Sequence, residues 1–295
     1  MKSESLFLPV SGNHILHVKH IYQERTGTPV FMLHGAIENG KIFYSESGKG
    51  FAYFLAEKGY DVFVLDQRGR GKSTPRISKN STFSQKETLK EDIHACIREI
   101  EKQRGLIKQI WVGHSWGGVL LTAFLARNPS FKQRVDRLIY FGTKRSVRVK
   151  NIHRFVLISF AWNTLAPLLV KWHGYLPTIT YKYGSDNESA GTLSDSIRWV
   201  KNSVWLDEDG FNYHESLQSF SLPETLYVVG KKDYCLGHIS DVKRFIDESG
   251  NHAYTLMYLS KKHGFQKDYD HINMLTDPRA VNDHFQRIYT WLCKN

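Results

Sequence analysis

The residues best suited to chemistry lie in Gly113-His114-Ser115-Trp116-Gly117-Gly118. The apolar Ile110-Trp111-Val112 leads into this stretch, and the helix-like Val119-Leu120-Leu121-Thr122-Ala123-Phe124-Leu125-Ala126 follows it. An apolar strand, Gly-x-Ser-x-Gly and an apolar helix make a sharp turn that thrusts a serine hydroxyl outward. Gly113 and Gly117 suit that turn because a side chain at either would clash across it. The helix behind Ser115 aims its amide end at negative charge forming beside the hydroxyl. Ser115 is therefore the candidate nucleophile. A lone Gly-x-Ser-x-Gly also arises by chance, so its weight rests on partners elsewhere in the chain.

A serine hydroxyl is a poor nucleophile until a base takes its proton, and the base, a histidine, is held in one tautomer by an acid. Asp233 is the candidate acid. It follows the strand-like Leu226-Tyr227-Val228-Val229 and the turn Gly230-Lys231-Lys232, which puts it at the sheet edge beside the elbow. Asp207, Asp209 and Asp241 lack a preceding strand, and the turn Gly142-Thr143-Lys144 after the strand at 135–141 holds no acid. Among 14 histidines, two lie between the last strand and Pro278. His271, in Tyr269-Asp270-His271-Ile272-Asn273-Met274-Leu275, is preferred because the stretch from Lys261 to Asp270 gives it slack to return over the elbow. His263 stays open as the competitor. His114 lies inside the elbow and cannot be the base. The tetrahedral intermediate needs two amides aimed at its oxyanion. One is expected from Trp116, the residue after the serine. The other is expected from Ala36, in His34-Gly35-Ala36-Ile37 after the first buried strand, where Gly35 lets the backbone approach.

These groups need a scaffold that brings strand ends together. Residues 6–10 and 14–22 read as an edge hairpin around Ser11-Gly12-Asn13, with a weak period-2 pattern. Val30–Leu33, Asp61–Asp66, Ile110–Val112, Val135–Phe141, Leu226–Val229 and Tyr254–Leu259 are apolar runs of the kind buried on both faces. Between them, residues 41–59 turn helical towards their end. Residues 84–104 form a helix with Leu89, Ile93, Ile97 and Ile100 on one face, and about 278–292 a last helix with Pro278 in its first turn. Strands alternating with helices predict a mostly parallel sheet covered on both faces. From 144 to 221 the alternation stops. Phe155, Leu157, Phe160, Trp162, Leu165, Leu168, Leu169 and Trp172 fall there, followed by Ile197, Trp199, Val200 and Trp205. This region reads as a helical cap above the sheet's C-terminal edge. Residues 1–143 and 222–295 form the two parts of the core. Most cap aromatics are expected to pack the cap's own small core. Pro167 and Asn163 interrupt the first run, so no stretch is expected to match an uninterrupted membrane span.

The chain has 295 residues, 41% hydrophobic and 23% charged, which suits a large core in one domain plus an insertion. Three scattered cysteines make neither a disulfide framework nor a zinc site, and a reducing, cytoplasmic setting is the simplest expectation. Leu6 to Val10 is too short for a signal peptide's apolar region. Asn80-Ser81-Thr82 and Asn187-Glu188-Ser189 match the glycosylation pattern, which carries no weight without such a signal. The net charge is +11. Its densest basic cluster, Lys144 to Lys150 with His153 and Arg154, comes with no nucleic-acid motif, so no nucleic-acid partner is expected. Peripheral contact with an anionic membrane surface stays open. Gly69-Arg70-Gly71-Lys72-Ser73 imitates a phosphate loop, but the required first glycine is Asp66. It reads as a structural loop braced by Asp66 and Arg68.

Taken together, the chain resembles the α/β-hydrolase family over about residues 25–292. The resemblance is carried by His34-Gly35 after a strand, Asp66 to Ser73 after the next, the Ser115 elbow, Asp233 after a strand, and His271 seven residues before Pro278. Within the family it looks most like esterases, monoacylglycerol lipases and acid lipases. Tyr269-Asp270-His271-Ile272-Asn273-Met274 is similar to the Tyr-Asn-His-Leu-Asp-Phe type of lipase histidine motif. The resemblance implies an α/β-hydrolase fold, with a mostly parallel sheet of about eight strands, helices on both faces and an inserted helical cap. It implies a serine hydrolase acting on a small-molecule ester or lipid with an apolar acyl group. Ser115, His271 and Asp233 would be the triad, Ala36 and Trp116 the oxyanion amides, and no metal or organic cofactor is called for. The chain departs from these lipases at Trp116, bulkier than their usual residue, and in the long charged loop before His271. Acyltransferase, thioesterase and peptidase activities share the fold, as do non-catalytic ligand-binding proteins. Acyl chain length, leaving group and oligomeric state are not encoded in these motifs.

Overall fold

The computed structural model describes residues 1–294. Eight strands form one sheet: β1 (Lys2–Val10), β2 (His14–Tyr22), β3 (Pro29–Leu33), β4 (Asp61–Asp66), β5 (Gln109–His114), β6 (Val135–Phe141), β7 (Glu224–Gly230) and β8 (Tyr254–Leu259). Their order is β1-β2-β4-β3-β5-β6-β7-β8. β1, β2 and β4 pair antiparallel, and every pairing from β4 to β8 is parallel. The continuous apolar runs are explained by the two cores they separate. Phe31, Leu33, Phe63, Leu65, Trp111, Leu138, Tyr140, Tyr227 and Val229 point to one face. Their neighbours Val30, Met32, Val62, Val64, Ile110, Val112, Ile139, Phe141, Leu226 and Val228 point to the other. Successive residues of a strand face opposite sides, so both must be apolar when both sides are covered.

Helix α1 (Phe51–Glu57) and the C-terminal α8 (His284–Leu292) cover the second face. The first is covered by α2 (residues 85–104), α3 (Trp116–Arg127) and α7 (Ile239–Glu248). The weak alternation in β2 has a specific cause. His17 and His20 are buried there, paired to the two ends of β4, with His17 Nδ1 2.7 Å from Asp66 and His20 Nε2 2.5 Å from Asp61. Asp66 also accepts from the amides of Gly40 and Lys72 at 2.7 and 2.9 Å, and Arg68 donates to Asp92 at 2.7 Å. The 69–73 loop is folded around these contacts.

The last helix is not continuous from Pro278. A tight turn over Pro278–Asn282 ends at Asp283, and α8 begins after it. The interruption lets the Asp283 carboxylate accept from the Gln266 amide at 2.8 Å and the Tyr269 hydroxyl at 2.9 Å.

The insertion between β6 and β7 contains α4 (Ile152–His173), α5 (Ala190–Lys201) and α6 (Tyr213–Ser219), with a two-residue antiparallel pairing of Tyr175–Leu176 and Glu188–Ser189. Two expectations fail here. α4 is a single 22-residue helix long and apolar enough, by length and composition, to cross a membrane; Pro167 and Asn163 do not break it. Asn163 is compatible with helix, and Pro167 sits where the winding changes. The turns over Phe155–Leu165 are wider than those of the following Ala166–His173. Nor do its large side chains fill a cap core, because Phe155, Leu157, Phe160, Leu165, Leu168 and Trp172 are all exposed. Ile158, Trp162, Ala166, Leu169 and Val170 make the inner contacts instead.

Candidate active site

The elbow joins β5 to α3. Ser115 has φ 51° and ψ −118°, a conformation that non-glycine residues adopt only where the surroundings enforce it. The enforcement is steric. A Cβ on Gly113 would lie 2.5 Å from the Gly118 backbone, and one on Gly117 would run into the Leu33 and His34 carbonyls. The Ser115 amide donates to the Phe141 carbonyl at 2.8 Å, fixing the turn to β6. Gly35 approaches from β3, and a Cβ there would stand 3.0 Å from the Ser115 Cβ. That brings the Ala36 loop against the elbow. Among the described residues neither the Ala36 nor the Trp116 amide has an acceptor, whereas Gly35 and Ile37 on either side of Ala36 donate to Glu38 and Glu188.

Asp233 follows β7 and His271 follows the loop after β8. The structure brings them together, with Asp233 Oδ2 2.5 Å from His271 Nδ1. Burial alone would raise the Asp233 carboxyl, but His271, the Gly237 amide and Lys144 hold it below the usual aspartate range. An ionised Asp233 accepts the Nδ1 proton and leaves His271 Nε2 with a free lone pair. His271 itself is held below 6.5, first by burial and then by the nearby positive charges of His114 and Lys144, which together outweigh Asp233. It is therefore a neutral base in neutral solution. The acid limb of kcat/KM, which reports the free enzyme, is expected to have its midpoint below pH 6.5. A rate profile over pH 4–9, with enzyme stability checked at each point, measures it.

His263, the competitor, sits exposed on the Ser260 hydroxyl at 2.7 Å. The loop carrying His271 is clamped where slack was expected. Lys232 donates its amide to the Tyr269 carbonyl at 2.7 Å, Lys267 pairs with Asp277 at 2.8 Å, and Tyr269 bonds Asp283. A long charged loop is held in one path by its own charges.

Behind the histidine lies a pair not anticipated from the sequence. His114 Nδ1 donates to Glu38 at 2.6 Å, and His114 Nε2 donates to the His271 carbonyl at 3.0 Å. Burial works against both charges, but the mutual attraction prevails: Glu38 is held below and His114 above its ordinary value. The result is a buried ion pair, its cation ring 4.8 Å from the His271 ring, bracing that residue's backbone. A Glu three residues after His34-Gly35 and a His before the serine were the available signals. Arg70 adds a second brace, linking the Gly35 carbonyl at 3.2 Å to Glu188 of the insertion.

Glu38→Ala is expected to cost about 3–5 kcal/mol, because the buried His114 ring loses its partner and must give up its proton or stay charged unpaired. Urea denaturation measures it. The pair's contribution is largest between the ordinary Glu and His values of 4.5 and 6.5. It fades as pH falls through the lowered Glu38 pKa, and again as pH rises through the raised His114 pKa. The deficit of Glu38→Ala should therefore shrink in alkaline solution.

The bulk of Trp116 serves packing beyond the elbow. Its indole Nε1 donates to Gln85 at 2.5 Å and its ring lies 6.0 Å from Trp199 of α5, tying the elbow to α2 and the insertion. Lys144 and Arg145, read as part of a surface basic cluster, are buried. Arg145 is held by Glu248 at 2.8 Å and by the Asn202 carbonyl at 3.0 Å. A cavity of about 490 Å³ is lined by Ile272, next to His271 in the chain, and by Glu38, but not by Ser115, Asp233 or His271. Its walls include Asp66, Lys41, Lys72 and Arg76.

A family described as the alpha/beta hydrolase fold matches residues 28–177. The chain belongs to the alpha/beta hydrolase family. Among curated members, human gastric triacylglycerol lipase is 30% identical over 113 residues, covering 36% of this chain and 28% of that protein. Probable proline iminopeptidase from Leptolyngbya boryana is 31% identical over 133 residues, covering 43% and 35%. The matches thus span about a third of these relatives' length. Bromoperoxidase from Bacillus anthracis superposes with a TM-score of 0.63 at 17% identity over 99% of this chain and 100% of that one. Carboxylesterase CesB from Bacillus subtilis gives 0.57 at 16% over 99% and 92%. At such identities the structural agreement speaks for the fold, and the lipase and proline iminopeptidase relatives support a hydrolytic enzyme.

Proposed function

We propose that this chain is a serine hydrolase that cleaves an ester with an apolar acyl group through an acyl-enzyme. Ser115 Oγ attacks the carbonyl carbon while His271 Nε2 takes its proton. The Ala36 and Trp116 amides hold the oxyanion. The intermediate collapses, the C–O bond breaks, and the leaving alcohol takes the proton from His271. Water then repeats the sequence on the acyl-enzyme and regenerates Ser115. Asp233 keeps His271 in the reactive tautomer throughout. The observation that carries this reading is the 2.5 Å pairing of Asp233 with His271 Nδ1, in an edge where the strained Ser115 also stands.

A second reading, a peptidase using the same groups, is favoured by the charged walls of the cavity beside Ile272, which suit a polar substrate better than an acyl chain. Hydrolysis of p-nitrophenyl esters from acetate to palmitate, set against aminoacyl p-nitroanilides, separates the two. A maximum at one ester chain length supports the ester reading and sizes the pocket. Anilide cleavage with flat, weak ester turnover replaces it with the peptidase. A fluorophosphonate probe is expected to label the native protein and not His271→Ala. Failure to label the native protein would overturn both readings.

A further inference from the structure

The largest feature the chemistry leaves unused is the outer face of α4. Ile152, Val156, Phe160, Thr164, Leu168 and Trp172, spaced every four residues, are all exposed, and Trp172 is 84% exposed. Only 11% of the helix's most apolar stretch is buried. Scattered exposed apolar residues are ordinary, but a contiguous stripe of this length on one helix marks an interaction surface.

Charge identifies what the surface fits. No Asp or Glu stands between Asp136 and Asp186, the whole segment that carries α4. Within it Arg148, Lys150, His153, Lys171 and Lys182 are exposed, flanking the apolar stripe at both ends. The exposed Lys79 packs against Gly174, where α4 ends. An apolar face bordered by cations and free of carboxylates complements an anionic bilayer, whose headgroups meet the cations while the side chains enter the acyl boundary.

The helix cannot span that bilayer while the fold is intact. A span would put its ends about 30 Å apart on opposite sides. Here one end is held through Ile158 to Val147 and Cys235, and the other through Ala166 and Leu169 to Ile37, Leu176 and Leu193. Both anchors belong to the same folded body.

We propose that α4 docks flat on an anionic lipid surface, with Val156, Phe160, Leu168 and Trp172 inserted and Lys150 and Lys171 against the headgroups. Because Cys235 lies two residues past Asp233 and Ile37 follows Ala36, docking places the catalytic edge over the membrane. The proposal does not depend on the ester reading, since it concerns binding.

Flotation of the full chain with phosphatidylglycerol–phosphatidylcholine vesicles, against pure phosphatidylcholine vesicles, tests it. Binding is expected with the anionic vesicles and should weaken in high salt. Phe160→Ser/Trp172→Ser and Lys150→Glu/Lys171→Glu should each lower the partition coefficient by about tenfold or more. Unchanged melting temperatures and fluorophosphonate labelling would show both variants folded. The proposal is overturned if the native chain does not float, or if both folded variants float as it does. It is also overturned if the native chain is a stable dimer that Phe160→Ser/Trp172→Ser dissociates while no vesicles are bound, in which case a second copy covers the face.

Discussion

Ser115→Ala is expected to lower kcat on the best ester substrate by about 10⁶-fold and to leave stability within about 0.5 kcal/mol of the native protein. The activity term follows from removing the atom that forms the acyl bond in the proposed mechanism. What remains is the acceleration given by oxyanion amides acting on attacking water. The stability term follows from the backbone. Alanine meets the same φ of 51° under the same steric enforcement, and the Ser115 hydroxyl has no hydrogen-bond partner among the described residues that its loss would strand. Single-turnover assays, with thermal denaturation of the same preparation, measure both. Activity above about 1% of native, far more than the oxyanion amides alone supply, would sink Ser115 as nucleophile.

Asp233→Asn is expected to lower kcat/KM by about 10⁴-fold. The asparagine amide would face His271 Nδ1 with a donor, so the imidazole would carry its proton on Nε2 and could not accept one from Ser115. The loss should be in chemistry rather than binding, so kcat falls with KM little changed. Fluorophosphonate labelling of Ser115 should slow in parallel, because it needs the same deprotonation. Labelling at the native rate would show that Asp233 only supports the fold.

These two predictions rest on residues legible in the chain itself. The elbow is local: glycines two residues either side of a serine, after an apolar strand, are required by sterics within a few residues. The central strands are local too, because burial on both faces demands an unbroken apolar run. Asp233 and His271 stand out as candidates by their order after strands, and chain order carries over into a parallel sheet, whose strand ends share one edge. Residues that the sequence left unread depend on contacts between distant segments. Glu38 and His114 are 76 residues apart, and each alone is an ordinary polar residue; only folding makes them a buried ion pair behind His271. His17 and His20 blurred the pattern of β2 because histidine counts as polar until Asp66 and Asp61 are beside it. The loop before His271 looked slack because its clamps, Asp277 and Asp283, follow it in the chain.

The sequence by itself determined the sheet, the elbow and the order of the candidate groups along one edge, since those follow from local sterics and from which runs must be dry. Only the tertiary structure decided which charges are paired and which apolar residues stay uncovered. An apolar helix reads the same in sequence whether it is covered or bare. Nothing in the composition of Ile152–His173 distinguishes a cap core from an exposed face, because burial belongs to the surroundings and not to the residue.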